Sequence, residues 1–266
     1  MERLNSEQKF RANLFLKICD ISYLDERDNI LENLRKEFNY DEVYFFDKNN
    51  HQKIDNNIFK KILFKIKSKY DLVDLQFIVA IKKALENKRG EVSIIFRGSQ
   101  EKEDWLTNFS LKFVNHNNFK KSVHSGFYRS FKLFEKSVKS KKDDKELDFL
   151  NDIKYINENY DLYLSGHSLG GAIATIAGCH FYDKGINKNN MSIFTYGSPP
   201  IAKKELCLYY ENSFKIFRFV NKEDPVPEIS KLTDLKHIGE KILLNSEKIN
   251  FHNIDDYKEL LKEFKN

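Results

Sequence analysis

The sequence of 266 residues contains only three cysteines, and they lie far apart. Cys19, Cys179 and Cys207 form no C-x-x-C pair and no cluster with histidine. A disulfide framework and a zinc site of the usual spacing are therefore excluded, because both need cysteines at short intervals. Reducing conditions are the simplest interpretation, and we expect a cytoplasmic location.

Neither a signal peptide nor a membrane span is expected. Lys17 interrupts the first apolar patch at residues 14–16, unlike the core of a signal peptide, although export by another route stays open. Residues 162–182 contain no Asp, Glu, Lys or Arg. Gly166, Gly170 and Gly171 within them suit a turn better than a lipid-facing helix. We therefore interpret this stretch as a buried strand, a turn and a buried helix.

No strong charge of one sign is present. Lys and Arg number 45 and Asp and Glu 40, which gives a net charge of +5. So mild an excess does not call for a nucleic-acid partner, while peripheral contact with a membrane surface stays open. Hydrophobic residues make up 41% of the chain, enough for a buried core, so wholesale disorder is excluded.

The first 70 residues contain no glycine and no proline, which favours helices. Apolar residues recur there at helical spacing in three stripes. The stripes are Leu14, Ile18 and Ile21; Leu31, Leu34 and Phe38; and Ile58, Phe59, Ile62, Leu63 and Ile66. Four lysines between residues 60 and 67 flank the third stripe. It is either a basic amphipathic helix that touches a membrane or a surface helix that packs on the core.

From about residue 72 the apolar pattern changes from helical spacing to short runs. Strands are predicted over 75–81, 91–96, 160–164, 191–196, 214–220 and 238–244, and helices over 127–138, 146–159 and 169–179. This alternation predicts an α/β fold with a central, mostly parallel sheet flanked by helices. No repeat or linker divides the chain, so one domain is expected over 1–266. It comprises a helical N-terminal cover over 1–70 and a core over 75–266.

Gly166-His167-Ser168-Leu169-Gly170 is a G-x-S-x-G motif between a predicted buried strand and a predicted helix. This strand–turn–helix setting is typical of a nucleophile elbow. A Cβ at either glycine would collide with neighbouring backbone, so only glycine lets Ser168 sit on a tight turn with its hydroxyl clear of the sheet. The motif predicts Ser168 as a nucleophile, and a glycine-rich turn without chemistry is the alternative.

A serine hydroxyl needs a histidine base, and the base needs a carboxylate that orients it. In this architecture the acid follows the serine along the chain, and the histidine comes last. Asp224 follows the strand predicted over 214–220 and lies in a loop stiffened by Pro225 and Pro227. We prefer it to Asp183, at the end of a helix, and to Asp234, in a polar loop.

Three histidines follow Ser168 and compete for the role of base. His252 lies in a late loop ahead of a C-terminal helix, where this fold usually supplies the base. His237 begins a strand-like run and is the second candidate. His180 ends the helix that follows the motif, so it should lie far from Ser168. We expect His252 to be the base and the other two to be structural.

The oxyanion of an acyl-transfer intermediate needs two hydrogen-bond donors. The amide of Leu169, next after the nucleophile, is one. The other is expected where an earlier strand ends, at Phe96-Arg97-Gly98-Ser99, and Ser99 is the candidate. An ordinary strand-ending turn is the alternative, and Arg97 is expected to be a buried structural residue that forms an ion pair. Such a site requires no cofactor and no metal.

Several segments in a fixed order resemble the class 3, or fungal-type, lipase family of α/β-hydrolases. They are FRGS at 96–99, DW at 104–105, VHSGF at 123–127, GHSLGG at 166–171, YGSP at 196–199, DPVP at 224–227, HIG at 237–239, and His252 with Tyr257. The resemblance implies an α/β-hydrolase fold with Ser168 as nucleophile, Asp224 as acid and His252 as base. It also implies Ser99 and Leu169 as the oxyanion hole. The implied activity is hydrolysis of the carboxylic esters of acylglycerols, with phospholipids or smaller esters as the substrates of some members.

Residues 100–109 depart from the apolar lid that family members often carry, because the segment opens with charged side chains. As a helix it places Trp105, Leu106 and Phe109 on one side, where they either cap an acyl groove or pack on the core. Three interpretations of function therefore stay open. They are a lipase or phospholipase A that acts on lipid esters, an esterase for small soluble esters, and a lipase-like interaction protein without turnover.

Overall fold

Two sheets are present in the computed structural model, which describes residues 4–24, 27–46, 75–98, 112–116, 119–139, 149–245 and 252–263. The strands are β1 (Glu42–Phe46), β2 (Phe77–Lys82), β3 (Gly90–Phe96), β4 (Phe113–His116), β5 (Phe119–His124), β6 (Tyr160–His167), β7 (Met191–Tyr196), β8 (Ala202–Lys203), β9 (Lys215–Asn221), β10 (Leu235–Lys236) and β11 (Glu240–Leu244). In the described ranges the larger sheet has seven strands, in the order β1-β2-β3-β6-β7-β9-β11. Strands β3, β6, β7, β9 and β11 run parallel, and β1 and β2 are antiparallel. The predicted α/β fold with a mostly parallel sheet is confirmed.

Helices cover both faces of this sheet. They are α1 (Ser6–Ile21), α2 (Arg27–Phe38), α3 (Ser125–Lys139), α4 (Ile153–Asn159), α5 (Leu169–Asp183), α6 (Lys204–Tyr210), α7 (Pro225–Glu228) and α8 (Ile254–Glu263). On one face α3 and α5 enclose a large apolar cluster, and on the other α1 and α8 enclose a second one. Ile94 and Ile95, neighbours on β3, belong to different clusters, because successive strand side chains point to opposite faces. Burial on both faces explains why the central strands are apolar almost throughout.

The parallel strands place all their carboxyl ends at one edge of the sheet. β6 ends at His167, β7 at Tyr196 and β9 at Asn221, and the loops that follow them carry the candidate site residues. In open α/β sheets a ligand binds at this edge, since the loops there converge. The topology therefore positions the site before any side chain is considered.

The N-terminal region is helical as predicted in two of its stripes, but not throughout. The stripe of Leu14 and Ile18 lies on α1, which opens with a capping box between Asn5 and Gln8, and the second stripe lies on α2. The helical prediction is wrong for Glu42–Phe46, which is the edge strand β1. The reason is local: Asn39 ends α2 with φ 53°, and the Val-Tyr-Phe-Phe run that follows is β-branched and aromatic. The third stripe, 58–66, lies outside the described residues.

A small antiparallel sheet, in the order β10-β8-β5-β4, has no counterpart in the sequence prediction. Two of its strands, β8 and β10, contain only two residues each, too short for a periodic pattern. Helix α6 follows β8 directly and was also not predicted. Such short elements exist because neighbouring chain pairs with them, so tertiary contact decides them rather than local propensity.

Boundaries of the predicted elements moved by a few residues. Strand β6 runs on to His167, beyond the predicted end at 164. Of the helix predicted over 146–159, the structure describes α4 at Ile153–Asn159, and residues 146–148 lie outside the described ranges. The uncharged stretch 162–182 forms a strand, a turn and a helix, as predicted. Among the helices that the structure describes, none combines the length and apolar character that crossing a membrane requires.

Candidate active site

Ser168 lies on the turn between β6 and α5 in a strained conformation, with φ 57° and ψ −128°. A residue that carries a Cβ rarely adopts a positive φ, so the surrounding contacts must hold Ser168 in this conformation. The amide of Ser168 donates to the carbonyl oxygen of Tyr196 at 2.9 Å, which ties the turn to the end of β7. The serine therefore stands at the carboxyl edge of the sheet with its backbone fixed.

The two glycines of the motif are required by close backbone contacts, one within this turn and one with the end of β3. A Cβ on Gly166 would lie 2.2 Å from the carbonyl carbon of Gly170, and one on Gly170 would lie 2.0 Å from the carbonyl oxygen of Phe96. Both distances are far inside van der Waals contact with backbone, which cannot move aside cheaply. The steric reason that the sequence suggested for these glycines is confirmed.

Three side chains from three loops form one continuous chain of hydrogen bonds. His252 Nε2 lies 2.7 Å from Ser168 Oγ, and His252 Nδ1 lies 2.7 Å from Asp224 Oδ2. The pairs are 84 and 28 residues apart in sequence, so the fold alone brings them together. The arrangement has the geometry of a nucleophile, a base and a carboxylate that orients the base.

Asp224 is almost completely buried, at 1% exposure, yet its carboxylate is well satisfied. Its Oδ1 accepts from the amide of Val226 at 2.9 Å, because Asp224 caps the N-terminus of the short helix α7. Pro225 occupies the first helical position, where a missing N–H costs nothing. The other oxygen of Asp224, Oδ2, accepts from both His252 and the phenol of Tyr257. These hydrogen bonds offset the cost of taking the carboxylate out of water.

Tyr257 holds the acid from the other side. Its hydroxyl donates to Asp224 Oδ2 at 2.6 Å and accepts from the amide of Asn221 at 3.1 Å. Complete burial, with the neighbouring Asp224 charge, raises the pKa of Tyr257 well above its ordinary value, so the phenol keeps its proton and donates. The sequence placed Tyr257 among the family segments but gave it no role.

Gly197 makes room for the same group of side chains. It has φ 58°, and a Cβ there would lie 2.7 Å from Asp224 Oδ2 and 3.0 Å from the Cε1 of His252. Any larger residue would push the acid and the base apart. The sequence analysis missed this role, because the glycine lies 27 residues before Asp224 and only the folded loops show the contact.

The rival histidines and acids lie elsewhere. His237 donates from Nε2 to the carbonyl oxygen of Pro227 at 2.8 Å, and burial together with the nearby Arg218 charge lowers its pKa to about 3. His180 lies in the last turn of α5, 3.6 Å from Glu135. Asp183 ends α5 and accepts the phenol of Tyr210, and Asp234 is exposed. None of these contacts involves Ser168.

Leu169 is the first residue of α5, so its N–H has no acceptor within the helix and belongs to the positive end of the helix dipole. The second expected oxyanion donor, Ser99, lies outside the described residues. So do the lid candidates Trp105, Leu106 and Phe109. Arg97 is buried, as expected, and donates to the side chain of Gln76 and to a backbone carbonyl, while its expected ion pair stays a prediction. Across the described ranges, no three His, Cys, Asp or Glu side chains gather as metal ligands.

Comparison with known families settles the relationship of the chain. The family model "Lipase (class 3)" matches residues 93–233, which include the elbow and Asp224. The chain belongs to the class 3 lipase family.

Several named proteins are moderately similar in sequence to this chain. Secreted mono- and diacylglycerol lipase A of Penicillium cyclopium is 28% identical over 151 residues, 56% of this chain and 46% of the relative. A lipase of Rhizopus niveus is 29% identical over 54% of this chain and 36% of its own length. Phospholipase A1-II 1 of Oryza sativa is 24% identical over 54% of this chain and 40% of the relative. The chain thus aligns with less than half the length of each.

Solved structures share the fold over most of the chain. Lipase II from Rhizopus niveus superposes with a TM-score of 0.64 at 19% identity, covering 93% of this chain and 84% of that one. A triacylglycerol lipase described as having a serine protease triad as its catalytic centre gives a TM-score of 0.62 at 18% identity, over 91% of this chain and 82% of that one. The expected α/β-hydrolase fold is confirmed.

Proposed function

We propose that this class 3 lipase relative is a serine carboxylic-ester hydrolase that acts on lipid esters. The observation that carries the proposal is the chain of contacts from Ser168 Oγ through His252 to Asp224, with both links at 2.7 Å. Hydrogen bonds of this length in this order are what a serine hydroxyl needs to become a nucleophile. The strained turn at Ser168 supports the same conclusion, since such strain is concentrated at functional sites.

Acylation begins when Ser168 Oγ attacks the ester carbonyl carbon while His252 Nε2 takes the hydroxyl proton. Asp224 stabilises the imidazolium that forms, and its own hydrogen bonds to Val226 and Tyr257 hold it in place. The Leu169 amide binds the oxyanion, and we assign the second donor to Ser99. His252 then gives its proton to the departing alcohol oxygen as the ester C–O bond breaks.

Deacylation repeats these steps with water in place of the serine. His252 removes a proton from water, the resulting hydroxide attacks the acyl-enzyme, and the proton returns to Ser168 Oγ as the acid leaves. No step calls for a group that the chain lacks, because the nucleophile, the base and the charged partner of the base are all side chains of this protein.

The names of the relatives support lipid esters as the substrate class. They include a mono- and diacylglycerol lipase and a phospholipase A1, which differ in the alcohol part of the ester. Turnover of acylglycerol, micellar phospholipid and a short soluble ester, measured side by side, distinguishes a lipase, a phospholipase A and an esterase. A preference for the soluble ester by a large factor would contradict the lipid proposal.

The nucleophile and the base are tested by labelling with a fluorophosphonate and mapping the adduct by mass spectrometry. We expect an adduct on Ser168 in the wild-type protein and in His237→Ala, and loss of the adduct in His252→Ala. Ser168→Ala should lower turnover of a p-nitrophenyl ester by about a thousandfold or more. Absence of an adduct with and without detergent would favour the lipase-like interaction protein without turnover. Unchanged turnover in folded Ser168→Ala would contradict the assignment.

Peripheral contact with membranes is a separate proposal, supported by the net charge of +5. Binding to anionic vesicles should weaken as salt rises, because ions screen the attraction between exposed charges. Vesicle binding that depends neither on the anionic lipid content nor on the salt concentration would contradict this proposal. A cytoplasmic location also stays a proposal, with three buried free cysteines in its support.

A further inference from the structure

The ring of His167 packs against the ring of the proposed base. Their centroids are 4.8 Å apart with an angle of 29° between the planes, which is a stacked arrangement. His167 is buried, and it directly precedes Ser168 at the end of β6. The strand therefore sets the position of one ring, and that ring limits how the other can turn about its side-chain bonds.

His167 is in turn fixed by a residue from the N-terminal region. The hydroxyl of Tyr23, in the turn after α1, lies 3.0 Å from His167 Nδ1, and the two rings meet edge to face at 6.0 Å. Arg97 secures Tyr23 from the far side: it donates to the Tyr23 carbonyl oxygen at 3.3 Å, and its guanidinium carbon lies 5.4 Å from the centre of the Tyr23 ring.

The direction of the bond between Tyr23 and His167 follows from the surroundings of the phenol. Burial raises the pKa of Tyr23, so the hydroxyl keeps its proton, and the backbone of Gly98 lies beside the phenol oxygen. Gly98 lies so close that a Cβ on it would be 2.2 Å from that oxygen. His167 Nδ1 lies 3.0 Å away and can accept this proton, so we assign the hydroxyl as the donor. His167 is then the neutral tautomer that carries its proton on Nε2.

We propose that Tyr23 and His167 are positioning residues, which hold the ring of His252 in line between Ser168 and Asp224. The inference rests on the proposed ester hydrolysis, since it assigns a task to residues around that base. A neutral His167 suits the position, because a second cation against the ring would oppose the positive charge that His252 gains during the reaction. The Tyr23 hydroxyl also lies against Gly98, the residue before the predicted oxyanion residue Ser99.

The inference also gives the N-terminal region a role in the chemistry. Tyr23 lies outside residues 93–233, the part of the chain that matches the family model. Helix α1 packs its buried side chains on β3, β6 and β7, so Tyr23 is anchored to the same strands that carry His167 and the elbow. The N-terminal helix is therefore a part of the active-site support as well as of the core.

The test compares Tyr23→Phe with Tyr40→Phe, using a soluble ester and ¹⁵N-histidine NMR. Tyr40 is the matched control, because its hydroxyl also donates one buried bond, to Ser93 Oγ at 3.0 Å, and it touches none of the residues near Ser168. We expect Tyr23→Phe to lower kcat by about tenfold with little change in KM, since misplacing a base slows the chemical step without altering substrate binding. Tyr40→Phe should keep the wild-type kcat.

The NMR readout needs no substrate and separates this inference from the proposed function. In the wild type, His167 should be neutral with Nδ1 unprotonated, and Tyr23→Phe should change the resonances of both His167 and His252. His167→Phe, which keeps a stacked ring but loses Nδ1, should lose less activity than His167→Ala. An inactive wild type with the expected NMR coupling would overturn the hydrolase and leave the positioning link standing. Two results would overturn the positioning link. One is an active wild type whose kcat is unchanged in Tyr23→Phe, and the other is a set of His252 resonances that do not shift in that variant.

Discussion

Each carboxylate oxygen of Asp224 accepts a hydrogen bond from a defined donor. Substitution of one of these donors, Tyr257, should therefore affect both activity and stability. Tyr257→Phe removes the donor to Asp224 Oδ2 and leaves the Asn221 amide without its acceptor. We expect kcat to fall by about tenfold and the free energy of unfolding to fall by about 1–2 kcal/mol. Ester turnover and chemical denaturation measure the two effects.

Tyr210→Phe is the control for this change. The Tyr210 phenol also donates to a carboxylate, that of Asp183, at 2.6 Å, but at the far end of α5. It should lose comparable stability and retain kcat. If both variants lost activity equally, the effect of Tyr257→Phe would be one of stability, and its hydrogen bond to the acid would have no special part in turnover.

At the residue scale, the local motif was the more predictable part of the site. Ser168 could be located because the G-x-S-x-G pattern and its strand–turn–helix setting lie within a short stretch of chain. The clash that excludes a side chain at Gly166 is equally local, whereas the one at Gly170 is with Phe96 on β3. Asp224 and His252 needed the chain order of the architecture as well as their own loops. The supporting roles of Tyr23, His167 and Gly197 left no signal, because each depends on a contact between loops that are distant in sequence.

Helix α1 belongs to the core, which leads to a prediction about two phenylalanines on one helix. Phe15 is fully buried between Tyr163 and Phe194, whereas Phe10 is 60% exposed. Phe15→Ala should destabilise the protein by about 3–5 kcal/mol, because it leaves a cavity that the sheet cannot fill. Phe10→Ala should change stability by no more than about 0.5 kcal/mol. Urea unfolding of both variants decides the matter, and similar losses would show that α1 is not packed as described.

At the element scale, predictability followed the length and burial of each element. Strands β3, β6, β7 and β9 and helix α5 were found because long apolar runs bounded by turns leave few alternatives. Strand β1 was mistaken for helix, since a region without glycine or proline shows no boundary where the period changes. Strands β8 and β10 owe their existence to pairing with β5 and with each other, and two residues cannot show a period.

At the scale of the whole molecule, the free energy of unfolding should depend on pH through His237. Its pKa in the folded protein is lowered from 6.5 to about 3, so below pH 6.5 the unfolded chain binds a proton that the folded protein does not. The contribution of His237 to stability is therefore fully present above about pH 6.5 and declines as the pH falls toward 3. At pH 5 the loss from this group amounts to about 1–2 kcal/mol.

His237→Gln tests this dependence, because glutamine can still donate to the Pro227 carbonyl but cannot take up a proton. Urea unfolding at pH 7 and pH 5 should show a smaller decrease for the variant than for the wild type. Burial also lowers the pKa of His116, whose contribution is common to both proteins and cancels in the comparison. Equal decreases would mean that His237 is not held neutral in the fold.

The sequence by itself determined the α/β class, the elbow at Ser168 and the order of acid and base, because these follow from local periodicity, local sterics and the direction of the chain. Tertiary structure decided the rest: that His252 rather than His237 reaches the serine, that Tyr257 and Gly197 shape the acid, and that Tyr23 reaches His167 across 144 residues of chain. The physical reason is range. Sterics and periodicity act between neighbours in sequence, whereas hydrogen bonds and packing act between neighbours in space.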